Sequence, residues 1–180
     1  MNRFKYKFFL GPILLLAMIS LTNFQPLPKL LNKIAPEFQR RDMNGNLVSL
    51  NEYQGKVIVL NFWATWNAPS LKEMGYLERI SQKYARDHVQ IIGVAVVSNE
   101  KEIADRLDMT GVTYPILIGN KALISAYGNF SALPCTFIIN REGKIKSVLP
   151  GSHSYLQLEQ VVREVVKSDT IQSTTKMAVE

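Results

Sequence analysis

Asn67 and Ser70 stand three residues apart in "NFWATWNAPSLKEM", Asn61 to Met74, where a run of β-branched and aromatic residues gives way to a helical pattern. A group at the front of a helix meets free backbone N–H donors and the positive end of the helix dipole, which together stabilise an anion. Asn67 has no ionisable proton and is no nucleophile. Ser70 has a hydroxyl that attacks only with an adjacent general base. The two histidines, His88 and His153, lie far from it in sequence and from each other. A serine hydrolase is therefore not indicated. No cysteine cluster surrounds either histidine, so neither a metal nor another cofactor is expected. Cys135 is the single cysteine of the 180 residues. Thiol–disulfide exchange needs an attacking thiolate and a second, resolving thiol. This chain alone has no such two-step route.

Each candidate also has a plainer reading. Asn is among the best N-cap residues and Pro is favoured in a first helical turn, so Asn67-Ala68-Pro69-Ser70 is a competent helix start. Capping is a sufficient role for Asn67. Cys135 could support one-thiol chemistry such as mixed-disulfide capture, glutathionylation or sensing. The favoured alternative is a small buried apolar residue, because no histidine and no basic residue lies within five positions of it.

These residues need a frame. "KVIVLNFW", Lys56 to Trp63, is a near-continuous apolar run suited to a strand covered on both faces. A helix is predicted over about Ala68 to Arg86, with Leu71, Met74, Leu77, Ile80 and Tyr84 at three- and four-residue spacing. "QIIGVAVV", Gln90 to Val97, is a second buried strand, which completes a βαβ unit. Asn99 with Glu102 reads as a capping-box start for a helix to about Met109, and a shorter helix follows near Lys121–Tyr127. "CTFIINREGKIKSVLP" is a hairpin turning at Arg141-Glu142-Gly143-Lys144, and Asn44-Gly45 marks an earlier one. Ser154 with Gln157 opens the last helix, whose stripe is Leu158, Val161, Val162 and Val165. After Lys167 a polar, frayed tail is expected.

The net charge of +6 is concentrated at one end. Arg3, Lys5, Lys7, Lys29 and Lys33 occur among the first 33 residues with no acid, while the other 147 residues hold 16 bases and 15 acids. A nucleic-acid partner is not indicated. The basic start precedes the apolar run Phe8–Leu21, as in an export signal or a membrane anchor. Its 14 residues fall short of the ~20 that span a bilayer. No small-x-small cleavage site follows, and Thr22 and Phe24 can extend the run, so an uncleaved anchor is favoured over a cleaved signal. Segment 1–24 is assigned to the anchor, with residues 8–22 in the membrane, 25–35 to a linker, 36–168 to the domain and 169–180 to the tail. The positive-inside rule places the domain across the cytoplasmic membrane, as a single-pass extracytoplasmic protein.

The series "GKVIVLNFWATW-x-x-P-x-x-KEM", "GVTYPILIG", "AYG" and "LP-x-TFIINREGKI", with a closing helix, resembles the membrane-anchored thioredoxin-like redoxins of the TlpA, ResA and DsbE type. The resemblance runs from about Pro36 to Lys167 and includes the N-terminal hairpin. It implies a thioredoxin-like α/β fold, a mixed central sheet flanked by helices. It also implies an extracytoplasmic thiol–disulfide oxidoreductase, often a reductant in cytochrome c maturation. The departures fall at the site. Asn67 stands where the family has its attacking cysteine and Ser70 where it has the resolving one. Gly75 replaces a helix-kinking proline, and Cys135 follows Pro134, which the family would make cis. By the same resemblance Cys135 would lie near the lost site, and Trp66, Asn67, Ala68, Pro69, Leu133 and Pro134 would form a substrate or partner groove.

Three functions follow. The favoured one is a binding or assembly module for an exported polypeptide or a membrane-protein partner, without dithiol exchange. The second is a monothiol oxidoreductase or sensor using Cys135. The third is a substituted form that traps or silences an active reductase; a trap normally keeps one family cysteine, which counts against it. Whether the chain is an enzyme at all stays open at this level.

Overall fold

The computed structural model describes residues 30–177. The predicted anchor, residues 1–24, lies outside them. No helix among the described residues is long and apolar enough to cross a membrane.

A hairpin comes first, β1 (Gln39–Arg41) and β2 (Leu47–Ser49), turning through Asn44-Gly45. Asp42 holds this turn by accepting from the backbone N–H groups of Asn44 (2.9 Å) and Asn46 (2.8 Å). The sheet proper contains β3 (Val57–Trp63), β4 (Val89–Ala95), β5 (Ile116–Ile118), β6 (Cys135–Ile139) and β7 (Ile145–Pro150). Their spatial order is β5-β4-β3-β6-β7; β3, β4 and β5 are parallel, β6 is antiparallel to β3, and β7 is antiparallel to β6. Every residue of β3 is buried, as its apolar run demands of a central strand. Each fully buried aliphatic or aromatic side chain there stabilises the fold by roughly 1.5–3 kcal/mol.

Four helices flank the sheet: α1 (Ala68–Lys83), α2 (Glu100–Thr110), α3 (Lys121–Ala126) and α4 (Tyr155–Met177). Strand alternation divides the core. Ile58, Leu60, Phe62, Cys135 and Phe137 face one cluster with the hairpin and α3. Val57, Val59, Trp63 and Ile138 face the other, with Met74, Leu77 and Ile80 of α1 and Leu158 and Val162 of α4. Gly93 on β4 permits this second packing. A Cβ there would sit 2.5 Å from Ile116 Cδ1 and 3.3 Å from Trp63 Nε1.

Two boundaries differ from the sequence expectation. Residues 30–35 of the expected linker dock on the β7 edge, with Asn32 N–H donating to the Ile145 carbonyl (2.7 Å) and Ala35 N–H to that of Gly143 (2.8 Å). Unpaired edge groups recruit backbone regardless of its side chains. At the other end α4 does not fray after Lys167 but continues to Met177. Buried Asp169 pins it by accepting from Arg141 N–H (2.8 Å) and Asn140 Nδ2 (3.3 Å).

Candidate functional site

The site lies where β3 ends and α1 begins. Asn67 is the N-cap of α1, with extended backbone, and Pro69 falls in the first turn. Its Oδ1 accepts from the Ser70 N–H (2.8 Å) and from the Ser70 hydroxyl (2.9 Å). The Ser70 hydroxyl is thus buried and committed to the cap. Among the described residues no base hydrogen-bonds to it. Pro134 follows a cis peptide bond from Leu133, at the same end of the sheet. Ala68 and Pro69 are exposed, Leu133 is half-buried and Pro134 is buried.

One functional residue was missed in the sequence. Glu73, one turn into α1, is completely buried. Its Oε1 accepts from Thr136 Oγ1 (2.9 Å) and Asn61 Nδ2 (3.2 Å), and its Oε2 accepts from the backbone N–H of His153 (2.9 Å). Burial raises its carboxyl above the usual range, and hydrogen bonds from the His153 N–H and Thr136, with the electrostatic attraction of the His153 side chain, only partly offset this. Among the described residues no Lys or Arg forms a salt bridge with it. Asn61 Oδ1 and Trp63 Nε1, both buried nearby, lack hydrogen-bond partners among the described residues. The sequence did hold a sign. Glu73 falls four residues before Leu77 and seven before Ile80, on the inward stripe of the helix.

Cys135, expected first as a small buried apolar residue, is buried. It pairs with Phe62, but alternation turns its side chain away from α1, into the cluster of Phe62, Tyr127 and Phe137. Its neighbour Thr136 points the other way, to Glu73. The thiol is fully buried and is pushed up to about 12, first by burial and then by the Glu73 charge. It is a packed apolar residue, not the accessible thiolate that monothiol chemistry needs.

The two tryptophans also separate. Trp63 is wholly buried, whereas Trp66 is 62% exposed, with its indole N–H donating to the Val97 carbonyl (3.2 Å). The groove beside Trp66 opens toward α2, walled by Thr65, Glu102, Asp105, Arg106 and Met109. Among the described residues no three His, Cys, Asp or Glu side chains gather so as to hold a metal.

Cis-proline, helix start and buried carboxylate meet at one end of a mixed sheet, the arrangement of a thioredoxin-like redoxin. The sequence profile of the AhpC/TSA family matches residues 31–148, and the chain belongs to that family, among its thiol–disulfide oxidoreductases. It is 32% identical over 132 residues to the thiol-disulfide oxidoreductase ResA of Geobacillus thermodenitrificans, covering 73% of this chain and 75% of the relative. It is 33% identical over 129 residues to the thioredoxin-like protein YneN of Bacillus subtilis, covering 70% and 75%. In fold it is similar to a thiol:disulfide interchange protein of Chlorobium tepidum, with TM-score 0.70 and 23% identity over 78% of this chain and 98% of that one.

Proposed function

We propose that this chain is a polypeptide-binding member of its family that does not itself exchange disulfides. The observation behind this reading is the cap. Where exchange would require a thiolate, Asn67 Oδ1 takes two hydrogen bonds from Ser70. The helix start is used for structure, and the remaining sulfur is buried on the far face of the sheet. Trp66, Asn67, Ala68, Pro69 and Leu133, backed by the buried Pro134, form the surface that receives an exported polypeptide or a membrane-protein partner. The basic start and the apolar run Phe8–Leu21 support a single-pass anchor in the cytoplasmic membrane, with the domain outside the cytoplasm.

Insulin reduction by the full chain should proceed no faster than with dithiothreitol alone; a catalysed rate sinks the proposal. A photo-crosslinker at position 67 in intact membranes should yield discrete polypeptide adducts. The double change Asn67→Cys, Ser70→Cys should restore turnover, since the buried carboxylate beneath remains.

A further inference from the structure

Two exposed large apolar side chains, Trp66 at 62% and Met109 at 75%, line a groove of about 480 Å³ between the α1 entrance and α2, and Val97, 74% exposed, adjoins it through the carbonyl that the Trp66 indole meets. Exposed apolar residues scattered singly need no account, but a cluster around a concavity does. The indole is also held in place by its bond to the Val97 carbonyl. Val97 itself has φ 51°, a conformation that a β-branched residue seldom adopts. An aromatic side chain fixed before binding loses little entropy when a partner arrives.

The charges around the groove choose the partner. Thr65, Trp66, Val97, Ser98 and Asn99 carry none. Helix α2 supplies Glu100, Glu102, Asp105 and Asp108 against Lys101 and Arg106. Glu102 accepts from the Thr65 hydroxyl (3.0 Å), and the Arg106 guanidinium turns to the Met109 sulfur (3.7 Å). The Asp105 carboxylate makes no hydrogen bond or ion pair among the described residues, and it sits on the groove wall.

We infer that this groove docks an extended polypeptide segment in which an apolar side chain is followed by lysine or arginine. The apolar side chain stacks on Trp66 against Met109, and the cation meets Asp105. This deepens the binding reading by naming a partner chemistry, and it rests on that reading only for the partner's being a polypeptide.

The test titrates the full chain with a short acetylated peptide carrying phenylalanine and leucine followed by two lysines. Controls replace the lysines by glutamates or the apolar pair by alanines. Because Trp63 is buried, a change in tryptophan emission reports Trp66. The basic peptide should give a saturable shift that neither control gives. Asp105→Lys should weaken binding about fivefold, in keeping with an exposed ion pair turned repulsive. Trp66→Ala, read by calorimetry, should weaken it at least about thirtyfold, as for an aromatic anchor. Equal binding of basic and acidic peptides, or no binding, overturns the inference. So does a concentration-dependent shift without peptide, which would make the occupant a second copy. If crosslinks from position 67 persist unchanged in Asp105→Lys and Met109→Ser, this groove is refuted while the binding module stands. If those crosslinks are absent but the peptide still binds, the module reading fails and the groove survives.

Discussion

Helix α1 meets a buried carboxylate near each end, and the two are handled in opposite ways. At its back end Glu159 of α4 accepts from the Tyr84 hydroxyl and from Lys83 Nζ (2.9 Å), with Arg163 3.6 Å away. Those hydrogen bonds, Tyr84 first, hold Glu159 below the ordinary carboxylate range. At the front end Glu73 has only neutral donors, and burial holds it above that range. The back end is a fastening between helices. The front end holds an acid with no salt bridge among the described residues and a raised pKa, a combination common at functional sites. No cysteine stands at this helix entrance, and an acid is buried beneath it.

The comparison breaks most easily at Glu73. Glu73→Ala leaves Asn61 Nδ2, Thr136 Oγ1 and the His153 N–H without their acceptor. It should cost about 3 kcal/mol in urea denaturation, because buried donors lose partners as well as packing.

The pH dependence should then separate the two ends. Glu73 has a raised pKa, so the native state keeps its proton longer than the unfolded chain. Its contribution is most favourable at acid pH and erodes as pH rises out of the usual carboxylate range. Glu159 has a lowered pKa, so its contribution is present above that range and is lost as pH falls through its folded value. Denaturation midpoints across about pH 3 to 8 should therefore lose the alkaline-side decline in Glu73→Gln and the acid-side decline in Glu159→Gln. The same profile in both variants would mean that the two carboxylates do not differ.

Smaller effects test the cap itself. Asn67, Asn99 and Asn120 each accept from the N–H three residues on, at 2.8, 2.9 and 2.9 Å. If the entrance of α1 is now only structural, Asn67→Ala should cost about 1 kcal/mol, as should Asn99→Ala. A rise in stability on replacing Asn67 would point to a strained functional residue. Smallest of all, Gly75 is exposed within α1, and a Cβ there meets nothing within 4 Å. Gly75→Ala should stabilise by about 0.5–1 kcal/mol in the same assay.

Much of this was legible along the chain. The β3 run, the Asn67 and Asn99 caps and both hairpin turns are local, and local chemistry sets them. The Asn99 reading was half met. Its side chain caps Glu102 N–H, but the Glu102 carboxylate turns to Thr65 instead of closing a box. That choice depends on a loop 37 residues away. The end of α4 was misread for the same reason, since polar Asp169 gains its partners from the β6–β7 turn.

What the sequence determined by itself is that one thiol cannot carry two-step exchange, and that an amide heads the first long helix. Cysteine number and capping chemistry depend on residue type and short spacing alone. Only the tertiary structure decided that Cys135 turns away from α1, that Glu73 is sealed beneath the helix entrance and that Trp66 stands open beside α2. The reason is geometric: adjacent strand residues face opposite layers, and burial is settled by elements distant in the chain.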